Sequence, residues 1–238
     1  MHSLRQKNIG ALFCYNVEPL YDAPEDYVPD PRADVEETIK SIRVASQFEK
    51  DRIEAGGNDG ARTWVSLKIS GLMADPLLLK RRTEVLQRER VREEATTGEY
   101  PYLVTDGDWE RLWSIDREDA WQSLRDVVVL DEAYENLREI MSKAKEEGIR
   151  VFIDAEQTWY QPAIDVLQEK LMREFNGKEE LPIVCATYQA YLRRCEGMVT
   201  SQLARAEAGG FSLGMKLVRG EPVGASKAGV MALTIVSI

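Results

Sequence analysis

The chain has 238 residues, with 41 acidic against 31 basic side chains and a net charge of −10; this excludes a general nucleic-acid binder, which needs a basic face to displace counterions from phosphates. Hydrophobic residues make up 44% and charged residues 30%, the balance of an ordinary soluble chain, here read as one large domain. The single histidine, His2, and three widely spaced cysteines, Cys14, Cys185 and Cys195, exclude His-activated nucleophiles and multi-His metal sites, fit no disulfide framework, and point to a reducing compartment.

Apolar, partly β-branched runs bounded by turn or helix signals predict strands over Ile9–Tyr15, Thr63–Leu72, Arg150–Asp154, Ile183–Thr187 and Met215–Val218. The first helix is predicted from about Asp34 to Ala55, with Asp34 and Glu37 in capping-box spacing, Val35, Ile39 and Ile42 on one face, and Gly56-Gly57 as its stop. The interval between strands two and three is much longer than one βα unit needs, and Leu77–Ala95 and Asp106–Leu124 read as inserted helices. The charge run Lys80–Glu94 offers a phosphate patch at Arg81-Arg82, but the interspersed Glu84, Glu89, Glu93 and Glu94 favour a solvated helix face. A helix over Asp131–Glu147 carries Leu137, Ile140, Met141 and Ala144 on one stripe and closes at Gly148. After Asp154 comes a helix marked by Ile164, Leu167, Leu171 and Phe175, with Pro162 in its first turn; another, from about Tyr191, buries Leu192, Cys195, Val199, Leu203 and Ala206.

Strands alternating with such helices predict parallel βα units. Five strands occupy the length up to Val218, and a closed barrel needs three more. The expected fold class is therefore α/β, a partial (βα)8 TIM-like barrel with about five of eight strands over residues 1–220. A helical insert is expected near residues 75–125, and an unrelated apolar tail over residues 221–238. No apolar run reaches the roughly 18 residues of a membrane span, and residues 1–8 carry no apolar signal-peptide core.

The period of two in Trp64-Val-Ser-Leu-Lys-Ile-Ser-Gly-Leu72 predicts Ser66, Lys68 and Ser70 on one face, so that Lys68 points into the barrel. A lone ammonium there costs several kcal/mol unless an anion or a carboxylate meets it; a structural ion pair is the competing explanation. Asp154-Ala-Glu-Gln157 places two carboxylates at the carboxyl end of a strand, the edge where such folds hold their sites. A helix N-cap is the alternative role for Asp154. Strand four ends in amide and hydroxyl groups at Thr187-Tyr-Gln189, and strand five in Lys216-Leu-Val-Arg-Gly220. The chain has no GxGxxG or GxxxxGK[ST] pattern at a strand-to-helix turn.

Val151-Phe-Ile-Asp-Ala-Glu-Gln-Thr-Trp-Tyr-Gln-Pro-Ala-Ile164, then Ala186-Thr-Tyr-Gln-Ala-Tyr-Leu192, then Gly214-Met-Lys-Leu-Val-Arg-Gly220, resemble in order the motif series of the proline dehydrogenase family, in its mitochondrial branch. Ile9-Gly-Ala-Leu and Val65-Ser-Leu-Lys-Ile-Ser are similar to that family's first two strands. The resemblance implies a barrel that binds FAD, oxidises L-proline to Δ1-pyrroline-5-carboxylate and passes electrons to quinone, with mitochondrial localisation and peripheral inner-membrane association. By motif position it implies that Lys68 holds the substrate carboxylate and that Asp154 lines the same pocket and orients its cations. Gln189 and Lys216 are then expected at the flavin ring, with Val218, Arg219 and Gly220 continuing along the cofactor.

After Gly220 the family pattern continues Ala-Tyr, where this chain reads Glu221-Pro222. The resemblance thus predicts a chain without its last three strands and the paired arginines of the final helix, and with impaired activity; Gly-Glu, encodable as GGT-GAG, suggests an intron boundary. The run Val230–Ile238 is an expected improvised strand for the exposed edge. Two other functions compete: a non-catalytic fragment acting at most through that edge, and a flavin-free lyase or aldolase with Lys68 as its Schiff-base amine.

Overall fold

Five strands, β1 (Leu12–Cys14), β2 (Trp64–Leu67), β3 (Arg150–Ile153), β4 (Val184–Gln189) and β5 (Gly214–Val218), lie side by side in one sheet in the order β1-β2-β3-β4-β5. Every neighbouring pair is parallel. The computed structural model describes residues 3–4, 7–15, 30–57, 63–92 and 103–219. Strand order that never reverses has no topological switch point, so right-handed crossovers place every connecting helix on the same side of the sheet. This is how the wall of a (βα)8 barrel is built, and the sheet comprises five consecutive strands of one.

The helices are α1 (Pro31–Glu54), α2 (Leu77–Arg92), α3 (Asp108–Leu112), α4 (Ala120–Glu147), α5 (Gln161–Phe175) and α6 (Cys195–Gly209). Val65 and Leu67, Val151 and Ile153, Val184 and Ala186, and Met215 share one apolar core with Ile39 and Ile42 of α1, Leu137 and Ile140 of α4, and Ile164 and Leu167 of α5. Alternation sends the remaining strand residues to the opposite face. There the cross-strand partners form rows: Ser66, Phe152, Cys185 and Gly214 in one, Thr187 with Lys216 in the next, and Gln189 with Val218 above that.

The structure moves several predicted boundaries. Helix α1 begins at Pro31, three residues before the predicted start, because Asp30 caps it: its Oδ1 accepts the Arg32 and Ala33 amides, both at 3.1 Å. Asp34 instead lies buried within the first turn, where burial raises its carboxyl pKa and the Tyr15 hydroxyl, 3.3 Å away, partly counters this. Strand β2 stops at Leu67, and Ile69–Leu72 wind into a 3-10 turn, so Ser70 does not continue the Ser66–Lys68 face. The predicted helix over 106–124 is divided between α3, which starts after left-handed Gly107, and the first turns of α4, capped by Asp119. Helix α4 thereby runs unbroken for 28 residues to left-handed Gly148. Turns over 191–194 delay α6 to Cys195. The predicted tail strand Val230–Ile238 lies outside the described residues.

The charge run of α2 is only partly a solvated face. Lys80 and Glu84 are exposed, but Arg82 and Arg90 turn inward. Arg82 is fully buried and donates to the Leu112 carbonyl through Nε at 2.8 Å, to the Ser114 carbonyl at 2.6 Å and to Ser123 Oγ at 3.0 Å, stitching α2 to the segment between α3 and α4. Arg90 Nε meets Asp108 Oδ1 at 2.9 Å, and Arg111 reaches the same carboxylate at 2.9 Å. Burial alone would raise the Asp108 pKa, but Arg90, the Thr105 amide and Arg111 outweigh it and hold the carboxyl below its ordinary 3.8.

Such a depressed pKa contributes stability in full above pH 3.8, lost as pH falls through the lower folded-state value. Asp108→Asn is expected to flatten the acid limb of a stability-versus-pH curve measured by urea unfolding. At the amino-terminal edge of the sheet, the buried Asn176 amide serves four backbone groups: Nδ2 donates to Val184 O at 2.9 Å and Ser212 O at 2.8 Å, and Oδ1 accepts from Ile183 N at 3.0 Å and Val184 N at 2.9 Å. Asn176→Ala should cost about 3 kcal/mol by stranding these groups, read as a lower urea midpoint at unchanged slope. Asn176→Asp, which keeps the shape but loses both donors, should rescue little.

Candidate active site

Polar groups gather where β2 to β5 end. Lys68 has extended backbone angles (φ −107°, ψ 128°), so alternation carries one residue past β2 and places the half-buried lysine on the same face as Ser66. Asp154 follows β3 directly, its amide donating to the Leu67 carbonyl at 2.9 Å in continuation of the ladder. Its Oδ1 pairs closely with Lys216 Nζ from β5 and accepts the Thr187 hydroxyl of β4 at 3.5 Å. Lys216 is only 5% exposed and stands 5.5 Å above the Phe152 ring, which packs in turn against Trp64 at 6.2 Å. A buried cation is thus met by one carboxylate and one aromatic face.

The N-cap alternative for Asp154 fails, because α5 starts at Gln161, seven residues on, and the Asp154 carboxylate is turned to Lys216. Gln189 ends β4 opposite Val218. Its Nε2 donates to the Glu156 carbonyl at 3.2 Å and to the Tyr191 hydroxyl at 2.9 Å. Its Oε1 is buried with no hydrogen-bond partner among the described residues. The Val218 carbonyl accepts the Ala190 amide at 2.8 Å. Arg219 is exposed beyond the strand end, outside this cluster of contacts, and Gly220 lies outside the described residues.

The structure therefore brings Lys68, Asp154, Gln189, Lys216 and Val218 to one strand-end rim, with Asp154 and Lys216 in direct contact. Sequence reasoning gave no role to Glu156, although its signal was there as the second carboxylate after β3. It is 8% exposed, and its Oε1 accepts the Ser70 amide at 3.0 Å. Burial raises its pKa, the Ser70 hydrogen bonds and the Lys68 charge oppose that rise, and Asp154 adds to it. Burial also pushes the Cys185 thiol up to about 12, which leaves it protonated and unreactive at neutral pH. Among the described residues no group of three or more His, Cys, Asp or Glu could hold a metal ion.

Residues 3–225 match the family profile described as proline dehydrogenase. The chain belongs to the proline dehydrogenase family. Among similar proteins, human "Proline dehydrogenase 1, mitochondrial" is 43% identical over 81 residues, 34% of this chain and 13% of that protein. Mouse "Hydroxyproline dehydrogenase" is 26% identical over 218 residues, 89% of this chain and 46% of the relative. The chain thus spans less than half the length of either. A solved structure of proline utilization A from Bdellovibrio bacteriovorus, inactivated by N-propargylglycine, superposes with a TM-score of 0.55 at 15% identity, over 92% of this chain and 18% of that one. That likeness shows the shared fold.

Removing one member of the Asp154–Lys216 pair strands a buried charge. Asp154→Ala is expected to destabilise the fold by about 3 kcal/mol. The double variant Asp154→Asn with Lys216→Met should be clearly more stable than the sum of the single losses predicts, a coupling read from a urea-unfolding double-mutant cycle.

Proposed function

We propose that this chain is an FAD-dependent dehydrogenase that oxidises L-proline to Δ1-pyrroline-5-carboxylate. The observation that carries this reading is the meeting of Lys68, the Asp154–Lys216 pair and Gln189 on the polar face of a sheet whose sequence belongs to the proline dehydrogenase family. Proline requires a cation for its carboxylate and a dry surface for its ring; it requires no strong nucleophile. Lys68 supplies the carboxylate contact. Asp154 holds Lys216 in place through their ion pair, so that Lys216 acts as a fixed charge at the end of the sheet.

FAD, when bound, supplies the hydride acceptor. The residues present fit it: the unpartnered buried Gln189 Oε1 is an acceptor suited to an imide N–H, and Lys216 is a cation suited to a ring that becomes anionic on reduction. Gln189 and Lys216 are assigned to the ring system, and Val218, Arg219 and Gly220 to the path beyond it. Quinone is the proposed electron acceptor, reached from a peripheral position on the inner mitochondrial membrane, in keeping with the names of the mitochondrial relatives. Among the described residues no helix is long and apolar enough to cross a membrane.

A non-catalytic role draws support from one observation: the outer edge of β5 has no neighbouring strand among the described residues, and such an edge is a template for pairing with another chain. The visible spectrum of the purified chain with added FAD separates the two. Bound flavin bleached by L-proline supports the dehydrogenase, and 4-hydroxyproline assayed beside it reads substrate preference. Bound flavin that proline does not reduce, or no bound flavin, overturns the catalytic reading. Lys68→Met is expected to raise KM for proline about 10- to 100-fold, the loss of one charge-assisted contact, with the flavin spectrum unchanged.

A further inference from the structure

Glu156 is the one carboxylate of the rim to which the proposed oxidation gives no task, yet it ties three elements together. Its Oε1 accepts the Ser70 amide at 3.0 Å, inside the turn that follows Lys68. Its carbonyl holds Gln189 Nε2 at 3.2 Å, and its amide donates to Gln161 Oε1 at 2.7 Å. The charges around it come from each side. Lys68 at the exit of β2 favours its ionised form, and Asp154 in its own loop opposes it while bound to Lys216 of β5. Behind Gln161, Asp165 of α5 accepts Gln161 Nε2 at 2.8 Å and is paired with Arg194 at 2.9 Å. Towards β4 the neighbouring groups are uncharged, the Gln189 amide and the Tyr191 hydroxyl.

We infer that Glu156 takes up one proton when the carboxylate of a small cyclic amino acid docks on Lys68, making it a positioning residue whose charge is exchanged for that of the substrate. This deepens the proposed function and rests on its assignment of Lys68. Burial disfavours an ionised Glu156 in this 8%-exposed position, and the Ser70 hydrogen bonds, then the charge of Lys68, favour it. A second carboxylate that engages the same ammonium removes part of that stabilisation and adds a like charge beside Glu156. The proton comes from solvent, or from the substrate ammonium, which must be neutral before a hydride leaves the adjacent carbon. One O–H bond forms on Glu156, and no redox change is involved. A protonated carboxyl keeps a carbonyl oxygen for the Ser70 amide, so the exchange leaves the β2–β3 link intact.

The test is calorimetric titration of the full chain, supplemented with FAD, with tetrahydrofuran-2-carboxylate, whose ring oxygen replaces the amine so that the ligand itself does not titrate near neutral pH. Repeating it in buffers of different ionisation enthalpy counts the protons. Uptake approaching one proton per ligand is expected on the alkaline side of the Glu156 titration, with Kd weakening by up to about tenfold per pH unit. Glu156→Gln, which retains an acceptor for Ser70, should bind with no linked proton and a flat pH profile. A protonated-carboxyl band appearing in the infrared difference spectrum of the unaltered protein gives the same answer without a variant. Binding without proton uptake, or uptake undiminished in Glu156→Gln, overturns the inference alone. No binding at all overturns it together with the role assigned to Lys68.

Discussion

Alternation along β2 to β5 governs both the stability of this sheet and its chemistry. Because successive side chains leave a strand on opposite faces, packing Val65, Leu67, Val151, Ile153, Val184 and Ala186 under the helices commits Ser66, Phe152, Cys185, Thr187 and Lys216 to the other side. A one-residue register slip in any strand would turn its apolar set away from the helices, and its polar set into the core. The register that buries the core therefore also fixes which polar groups meet. Lys216 faces Asp154 because Met215 faces the helices.

Charge burial is the cost of that arrangement, and the fold handles it differently at its two polar centres. Between β2 and β3, Asp108 is met by Arg90 and Arg111, and Arg82 is spent wholly on carbonyl and hydroxyl groups, so these buried charges serve the attachment of α2 and α3. At the strand ends the matching is leaner. Lys216 has one carboxylate and an aromatic face, and Gln189 leaves an acceptor unmatched among the described residues. Gln189 is one of several buried polar groups with an unmatched atom among the described residues, Arg88 of α2 and Gln202 of α6 being others; its place at the strand ends, on the face that carries Lys216 and Asp154, is what suits it to a ligand.

Much of this was readable in the residues. The strand cores, the parallel class and the presence of helices between β2 and β3 follow from periodicity, and the strand-end position of Lys68, Asp154, Gln189 and Lys216 follows from where those periods stop. The failures share a cause, namely that local signals were read without their competitors. Pro31 at the first helical position lets Asp30 cap α1, which leaves Asp34 buried in the first turn and Glu37 beside Lys40 on the outer face. Composition made the α2 charge run look solvated, because the carbonyls of Leu112 and Ser114 that receive Arg82 come from a segment 30 and more residues away. Ser70 kept a strand-like period that the 3-10 turn breaks. That same turn delivers its amide to Glu156, a contact between residues 86 apart in sequence that no spacing rule encodes.

The electrostatics of the strand ends then constrain what can bind. Among the described residues, two ammonium groups, Lys68 and Lys216, share the rim with two carboxylates, Asp154 and Glu156. An anionic ligand group entering such a poorly solvated cluster adds negative charge beside Asp154 and Glu156, which costs several kcal/mol unless a cation meets it or a proton is taken up. Asp154 is bonded directly to Lys216, so its carboxylate is committed to that lysine. Glu156 takes its hydrogen bond from the neutral Ser70 amide, which can donate to either protonation state, and burial favours its neutral form. The two carboxylates following β3 thus differ in what holds them: Asp154 is paired with a buried lysine, and Glu156 with a backbone amide.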